Sequence, residues 1–410
     1  MSMNALAGIK VLDLSHVIAG PTASHYLALE GAEVIKVEPT KRGDVLRHGR
    51  PGQVLDTGVS VGFAAINGGK RSLAIDLKRP ESRPLVEALI AQCDVFIENY
   101  RPGAAARLGL GPEDVTRIRP DIVYASISGF GQQGEWAGRP AYDHVVQSAM
   151  GMSSLQGDAT QDPMKVGFPV VDTATGMVAA QAITTALLRR LRTGQGARLD
   201  ISMAQAALQL MWPEVAKVAH SGEDSPRVGN RGFTGSPGAA TFACADGWLS
   251  TAANTPTQFR ALCDVLDLPA LPDDPVLIDQ PATKASGFVA ARDASELHNR
   301  LACAMRRLPL APLEAALSAR AVPCAPVRTL SETLATVTTT ARMTLPQRHT
   351  AYPGGTVCDF GAGYLADGMP GAALAPAPRH GQHTGEILAA LGLPPDEIQR
   401  LHALGVVNLG

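Results

Sequence analysis

Short apolar runs alternate with stretches of helical spacing through the first 130 residues. Gly8–Asp13 (GIKVLD) reads as a strand. Thr22–Glu30 reads as a helix, entered through Pro21, which suits a first turn, and stopped by Gly31. Ala32–Val37, Ser72–Ile75, Asp94–Ile97 and Ile122–Ser126 predict further strands, with helices at Pro80–Gln92 and Pro112–Ile118. This alternation implies right-handed crossovers and a mostly parallel sheet, a Rossmann-like α/β half. A long Ala-rich helix follows over Thr173–Leu191, stopped by Gly194 and Gly196. Arg198–Ser202 resumes as a strand and Met203–Lys217 as a helix. The loop-rich stretch Ser221–Gly238 marks a boundary. The expected organisation is a large domain over 1–220, a smaller α+β domain over 221–330 and a C-terminal segment over 331–410. Within that segment Pro346–Pro378, rich in Pro and Gly, is expected to wrap the surface, and a helix near Thr384–Leu391 to end the regular structure.

Composition narrows the class. Of 410 residues, 45% are apolar and only 4% aromatic, so Ala, Leu and Val fill the core, as suits helices packed on a buried sheet. The formal charge of −2 gives no bulk attraction to nucleic acid or a membrane surface. No uninterrupted stretch of about 18 apolar residues occurs, so no membrane span is expected; Met177–Leu191 comes nearest and is broken by Gln181, Thr184, Thr185, Arg189 and Arg190. The first residues lack the basic start and apolar core of a signal peptide. None of the six cysteines forms a C-x-x-C pair, which points to reduced thiols, no metal site and a cytoplasmic setting.

Gly129-Phe-Gly131-Gln-Gln-Gly134 matches the dinucleotide fingerprint in spelling. That fingerprint requires a helix opening at the glycines, and Gly138 and Pro140 forbid one, so a plain loop is the better reading. Asp172 stands before the Thr173–Leu191 helix. There a carboxylate caps free N–H groups, and those groups with the helix dipole would keep it ionised and oriented. Lys70-Arg71, Lys78, Arg101 and Arg107 lie near strand ends; singly they read as solvated surface, together as a possible hold on phosphates. His144 invites an acid–base role, but a lone histidine is more often packing or surface.

Several ordered blocks carry a resemblance: GIKVLDLSHVIAGP (Gly8–Pro21), GAEVIKVE (Gly31–Glu38), KRSLAIDLK (Lys70–Lys78), VFIENYRPG (Val95–Gly103), AYDHVVQ (Ala141–Gln147), VVDTATGM (Val170–Met177), RTGQGARLDISM (Arg192–Met203) and GQHTGEILAALGL (Gly381–Leu393). Together they resemble the class III coenzyme A-transferases over nearly the whole chain. The resemblance implies a Rossmann-like large domain with a parallel sheet, built from both chain ends, a smaller α+β domain between, and an interlocked homodimer. It implies that Asp172 is the nucleophile and that Ile18, Ala19, Ile75, Lys78, Asn99, Tyr100 and Arg107 touch coenzyme A, with Tyr142 at the substrate site. Acyl-CoA and a carboxylic acid would be the substrates, with no tightly bound cofactor, and succinyl-CoA with a dicarboxylate as a candidate pair. Some members carry a glutamine where Ile18 stands, an arginine where Pro39 stands and a glycine run absent here; these departures speak against oxalate and formate.

The relatives that epimerise α-methylacyl-CoA offer the alternative chemistry. They carry His directly before Asp in the Ala141–His144 region, where this chain has Tyr142. His144, two residues on, points about 200° away on a helix. The register therefore favours transfer over α-proton chemistry.

Overall fold

The computed structural model describes residues 4–49, 53–339, 348–352, 355–359, 361–365 and 374–410. The chain divides into two compact units: Met1–Met152, Lys165–Glu223 and Leu345–Gly410 form the first, Ser153–Met164 and Asp224–Thr344 the second.

The first unit is built on a seven-stranded sheet. Its strands are β1 (Lys10–Asp13), β2 (Glu33–Glu38), β3 (Arg71–Ile75), β4 (Val95–Glu98), β5 (Val123–Ser128) and β6 (Ala197–Ser202), with Val407–Asn408 as the seventh. The spatial order is Val407–Asn408, β3, β2, β1, β4, β5, β6; only the pairing of Val407–Asn408 with β3 is antiparallel. Strands β4 and β5 are buried along their whole length, as expected for a parallel sheet covered on both faces. One layer packs Leu12, Leu73, Phe96 and Tyr124 against Leu85, Leu89 and Ile387; the other packs Val11, Val34, Ile97 and Ala125 against Ala23, Leu27, Ala179 and Ile183.

Two helices of the second layer set up everything that follows: α1 (Ala19–Leu29) and α4 (Val170–Thr193), with α2 (Arg83–Gln92) and α3 (Asp143–Ala149) between them in sequence. They meet at Gly176, where a Cβ would come within 2.6 Å of Thr22 Cβ and 2.8 Å of the Ala19 carbonyl oxygen. Only glycine permits that approach. Among the described residues only α4, the region of the Met177–Leu191 candidate, is long and apolar enough to cross a bilayer, but 44% of its apolar window is buried in the protein. Its last turn carries Arg190 and Arg192, favourable beside the negative end of the helix dipole.

Three expectations differ. Met203–Lys217 is two helices, α5 (Met203–Leu210) and α6 (Trp212–Ser221), because Pro213 starts a new helix rather than continuing the old one. Regular structure does not end near Leu391: Pro395–Ala403 is a further helix, burying Ile398 and Leu401, and the chain then adds Val407–Asn408 to the sheet edge. Within the segment expected to wrap the surface, Arg348–Tyr352 and Gly355–Asp359 pair as an antiparallel hairpin; Pro346 and residues 366–373 of that segment lie outside the described residues.

The second unit has a three-stranded antiparallel sheet, β7 (Gly238–Ala243), β8 (Trp248–Ala253) and β9 (Cys324–Pro326), in that order. Phe242, Leu249, Phe259, Leu297, Leu301 and Leu317 form its core. Ser153–Met164, read from sequence as part of the large domain, belongs here: Arg227 donates to the carbonyls of Gln161 and Ala159, and Asp158 bridges Val228.

Candidate active site

The carboxyl-terminal ends of β4 and β5 and the amino-terminal ends of α1 and α4 converge in the first unit, the place where an open parallel sheet binds ligands. A cavity of about 220 Å³ opens there. Asp172, Ile18, Ala19, Asn99, Tyr100 and Tyr142 line it, together with His16 and Arg139. His16 and Tyr100 also line a second cavity of about 400 Å³, which contains Ile75 and Lys78. Leu77, Lys78 and Leu108 lead from that into a third, of about 360 Å³, where Arg107 stands. A track of three cavities with shared walls thus leads from Asp172 to a pair of cations, Lys78 and Arg107, and every residue that the resemblance singled out lines one of them.

Asp172 is not a cap. Helix α4 begins at Val170 with Pro169 at its N-cap position, so Asp172 is the third helical residue. The cap comes from another element: Asp143 Oδ2 accepts from the backbone N–H groups of Val171 at 2.8 Å and Asp172 at 2.9 Å. Asp143 is itself held by Gln147, whose Nε2 donates to Oδ1 at 2.5 Å and whose Oε1 accepts the Val166 N–H at 2.8 Å. The donors expected to stabilise the Asp172 charge are therefore already spent on a second carboxylate. Among the described residues no donor reaches the Asp172 side chain. Burial, and then the neighbouring Asp143 charge, push its pKa up to about 7. The expectation of a strongly ionised, dipole-stabilised carboxylate is corrected: this one is half-buried, unpaired and held in its neutral form to a higher pH.

The cations divide. Lys70 is buried and donates to Asn67 Oδ1, the Pro21 carbonyl and Asp13, so it braces the fold and holds no phosphate. Arg71 pairs with Glu386. Lys78 and Arg107 line the track, and Arg101 and Arg139 line the Asp172 cavity. His144 is exposed and lies outside the cavity lining; the histidine that does line it is His16, whose pKa is lowered by burial and then by Lys36. Sequence reading missed His16 and Asp143, although both sit inside the motifs that carry the resemblance. A capping contact from residue 143 to residue 171 leaves no local signal.

Similarity to known proteins fits this geometry. The family model "CoA-transferase family III" matches residues 6–384. An "Acyl-CoA transferase" of Fusarium pseudograminearum is 33% identical over 99% of this chain and 89% of its own length. The "Succinate--glutarate CoA-transferase" of Agrobacterium fabrum is 33% identical over 94% of this chain and 95% of its own. Among solved structures, a CAIB/BAIF family protein from Brucella suis superimposes with a TM-score of 0.81 at 28% identity, covering 95% of this chain and all of that one.

Proposed function

The chain belongs to CoA-transferase family III and is an enzyme that transfers coenzyme A between an acyl-CoA and an acid; from that premise we propose that it does so through a covalent intermediate on Asp172. The single observation that carries this reading is a carboxylate without donors in the first of three adjoining cavities, the last of which holds Lys78 and Arg107. A hydrated carboxylate is a poor nucleophile, and a desolvated one attacks a thioester carbonyl more readily. An Asp172 oxygen adds to the donor carbonyl, the C–S bond breaks, and a mixed anhydride forms as CoA thiolate leaves. The thiolate, held along the track, attacks the aspartyl carbonyl, which releases the donor acid and leaves an aspartyl-CoA thioester. The acceptor carboxylate attacks that thioester, giving a second anhydride and thiolate. Attack of the thiolate on the acceptor carbonyl yields the new acyl-CoA and frees Asp172. Backbone N–H groups at Ile18–Ala19, in a first turn without intrahelical acceptors, supply the oxyanion stabilisation each addition needs.

Lys78 and Arg107 hold the phosphates of the coenzyme. Ile18, Ala19, Ile75, Asn99 and Tyr100 touch its remaining length, and Tyr142 faces the acids. No cofactor beyond the CoA thioester enters this scheme. Changing Lys78 or Arg107 to Ala is expected to raise KM for acyl-CoA with little change in kcat, since contacts to remote parts of a ligand bind ground and transition states alike. Steady-state kinetics check this; unchanged KM in both variants removes these residues from the ligand.

Arg101 and Arg139 in the same cavity favour an acceptor with a second carboxylate, and the succinate–glutarate relative points the same way. Succinyl-CoA with a dicarboxylate is the proposed pair. Mass spectrometry of succinyl-CoA with a panel of acids should show acid-dependent movement of CoA, and a 2-methylacyl-CoA incubated in D₂O should take up no deuterium at its α-carbon. Deuterium uptake without CoA movement would instead establish the racemase chemistry, in which an enolate must form.

A homodimer completes the proposal. Leu199, Ile201, Ala206, Leu208, Trp212 and Val215 surround an apolar groove between β6, α5 and α6, and Trp212 is 69% exposed. Large exposed apolar patches mark interfaces. Wild-type protein should elute at twice the monomer mass in light scattering, and Trp212→Asp should shift it toward monomer; a monomeric wild type overturns this.

A further inference from the structure

His16, Val17, Ile18 and Ala19 form one stretch of the wall of the cavity that holds Asp172. Val17 in its centre has φ 68°. A β-branched residue in the left-handed region is a genuine outlier, and such strain persists only where the surroundings over-determine it. Here they do. Asp13 Oδ1 accepts the Ser15 N–H at 2.9 Å, and Lys36 Nζ donates to the Ser15 carbonyl at 2.8 Å. Asn99 grips His16 twice, accepting its N–H at 2.9 Å and donating to its carbonyl at 2.8 Å. Both carboxylate oxygens of Asp44 take the Val17 N–H, each at 3.2 Å.

The groups behind these bonds are held in turn. Asp44 and Lys36 pair at 3.0 Å with no side-chain exposure. Glu38 accepts the Asp44 N–H at 2.9 Å and a two-point contact from Arg47. Three buried acids and three buried bases (Asp13, Glu38, Asp44; Lys36, Lys70, Arg47) thus form one cluster that holds three backbone groups of this segment, Ser15 N–H, Ser15 C=O and Val17 N–H, while Asn99 holds the two of His16. Gly20 seals the other side: a Cβ there would lie 2.2 Å from Ser15 Cβ. A buried ion cluster is a costly way to stabilise a fold. One that ends on the backbone of a strained residue in the cavity wall has a more specific use.

We propose that Asp44, braced by Lys36, and Asn99 are positioning residues that clamp Val17 in its left-handed conformation and so aim Ile18 and Ala19 at the carbonyl attacked by Asp172. The proposal rests on the function proposed above, and it makes two demands. First, glycine suits residue 17 better than alanine, the reverse of the order at an ordinary position. Second, glycine there makes the clamp dispensable.

The test is a set of variants assayed for succinyl-CoA-dependent transfer and for Tm. Val17→Gly should melt above Val17→Ala and keep kcat within about twofold of wild type. Asp44→Ala, which leaves the Val17 N–H without its acceptor, should lower kcat at least tenfold while KM for acyl-CoA, set by Lys78 and Arg107, stays within about twofold. Adding Val17→Gly to Asp44→Ala should recover most of the lost kcat. If Asp44→Ala does not fold, Asn99→Ala replaces it in a cycle read by kcat and Tm alone, because Asn99 also touches the coenzyme. A melting order with alanine above glycine, or additive losses without recovery, overturns the clamp. Asp172→Ala in the same series keeps the two readings apart: activity retained there refutes the nucleophile and leaves the clamp result standing.

Discussion

Asp172→Ala loses CoA transfer by on the order of 10⁴-fold or more, because removing a covalent nucleophile removes the whole sequence of steps that passes through it. The fold survives, since the amino terminus of α4 is capped by Asp143 and not by the side chain that is lost. The variant should even gain stability, and the sign follows from the raised pKa. In the unfolded chain Asp172 ionises at the ordinary 3.8, in the native protein at about 7. Between those values the native state binds the extra proton, so ionisation penalises folding increasingly from pH 4 to pH 7 and fully above it. Asp172→Ala removes that penalty. Its denaturation midpoint should exceed that of wild type at pH 8, and the difference should shrink below pH 4. Hydroxylamine added during turnover should modify Asp172 in wild type and leave the variant untouched. Full transfer in Asp172→Ala, or labelling at another carboxylate, rejects the nucleophile.

The parallel sheet was legible because strands buried on both faces, such as VYASIS in β5, announce themselves as continuous apolar runs, and the Pro and Gly punctuation around α1 marks its ends. The break between α5 and α6 was legible in principle, through Pro213, but lost in a long apolar stretch. Val407–Asn408 could not be read at all: a two-residue strand owes its existence to the edge of β3, more than 300 positions earlier in the chain. The site shows the same division. Asp172 and the track residues sit in ordered motifs, so their places could be named from sequence. Their electrostatics could not. Position before an apparent helix start predicted a stabilised carboxylate, while the competing carboxylate of Asp143 arrives through space from α3 and reverses the prediction. Lys70 erred the other way. Its spacing suggested a phosphate ligand, and only the tertiary fold reveals that Asp13, Asn67 and the Pro21 carbonyl surround it.

The pH dependence of kcat/KM should carry the signature of this reversal. The nucleophile must be ionised, and kcat/KM reports the free enzyme. With Asp172 titrating at about 7, the rate should climb through neutrality instead of levelling off near pH 5, as an ordinary aspartate would allow. Each pH unit below the midpoint costs a factor of ten, so at pH 5 roughly 100-fold is lost relative to the plateau. Burial is the larger cause and Asp143 the second, which gives the profile an internal control. Asp143→Asn keeps a carbonyl oxygen to accept the N–H groups of Val171 and Asp172 and removes the negative charge. The acid limb should then move to lower pH, toward the ordinary carboxylate range, without reaching it, since burial remains. The pKa of His16 is lowered by burial and then by Lys36, away from 7. A limb near 7 that does not move in Asp143→Asn would assign the titration to another group, and a flat profile from pH 5 to 8 would mean that Asp172 is solvated and ionised as an ordinary aspartate.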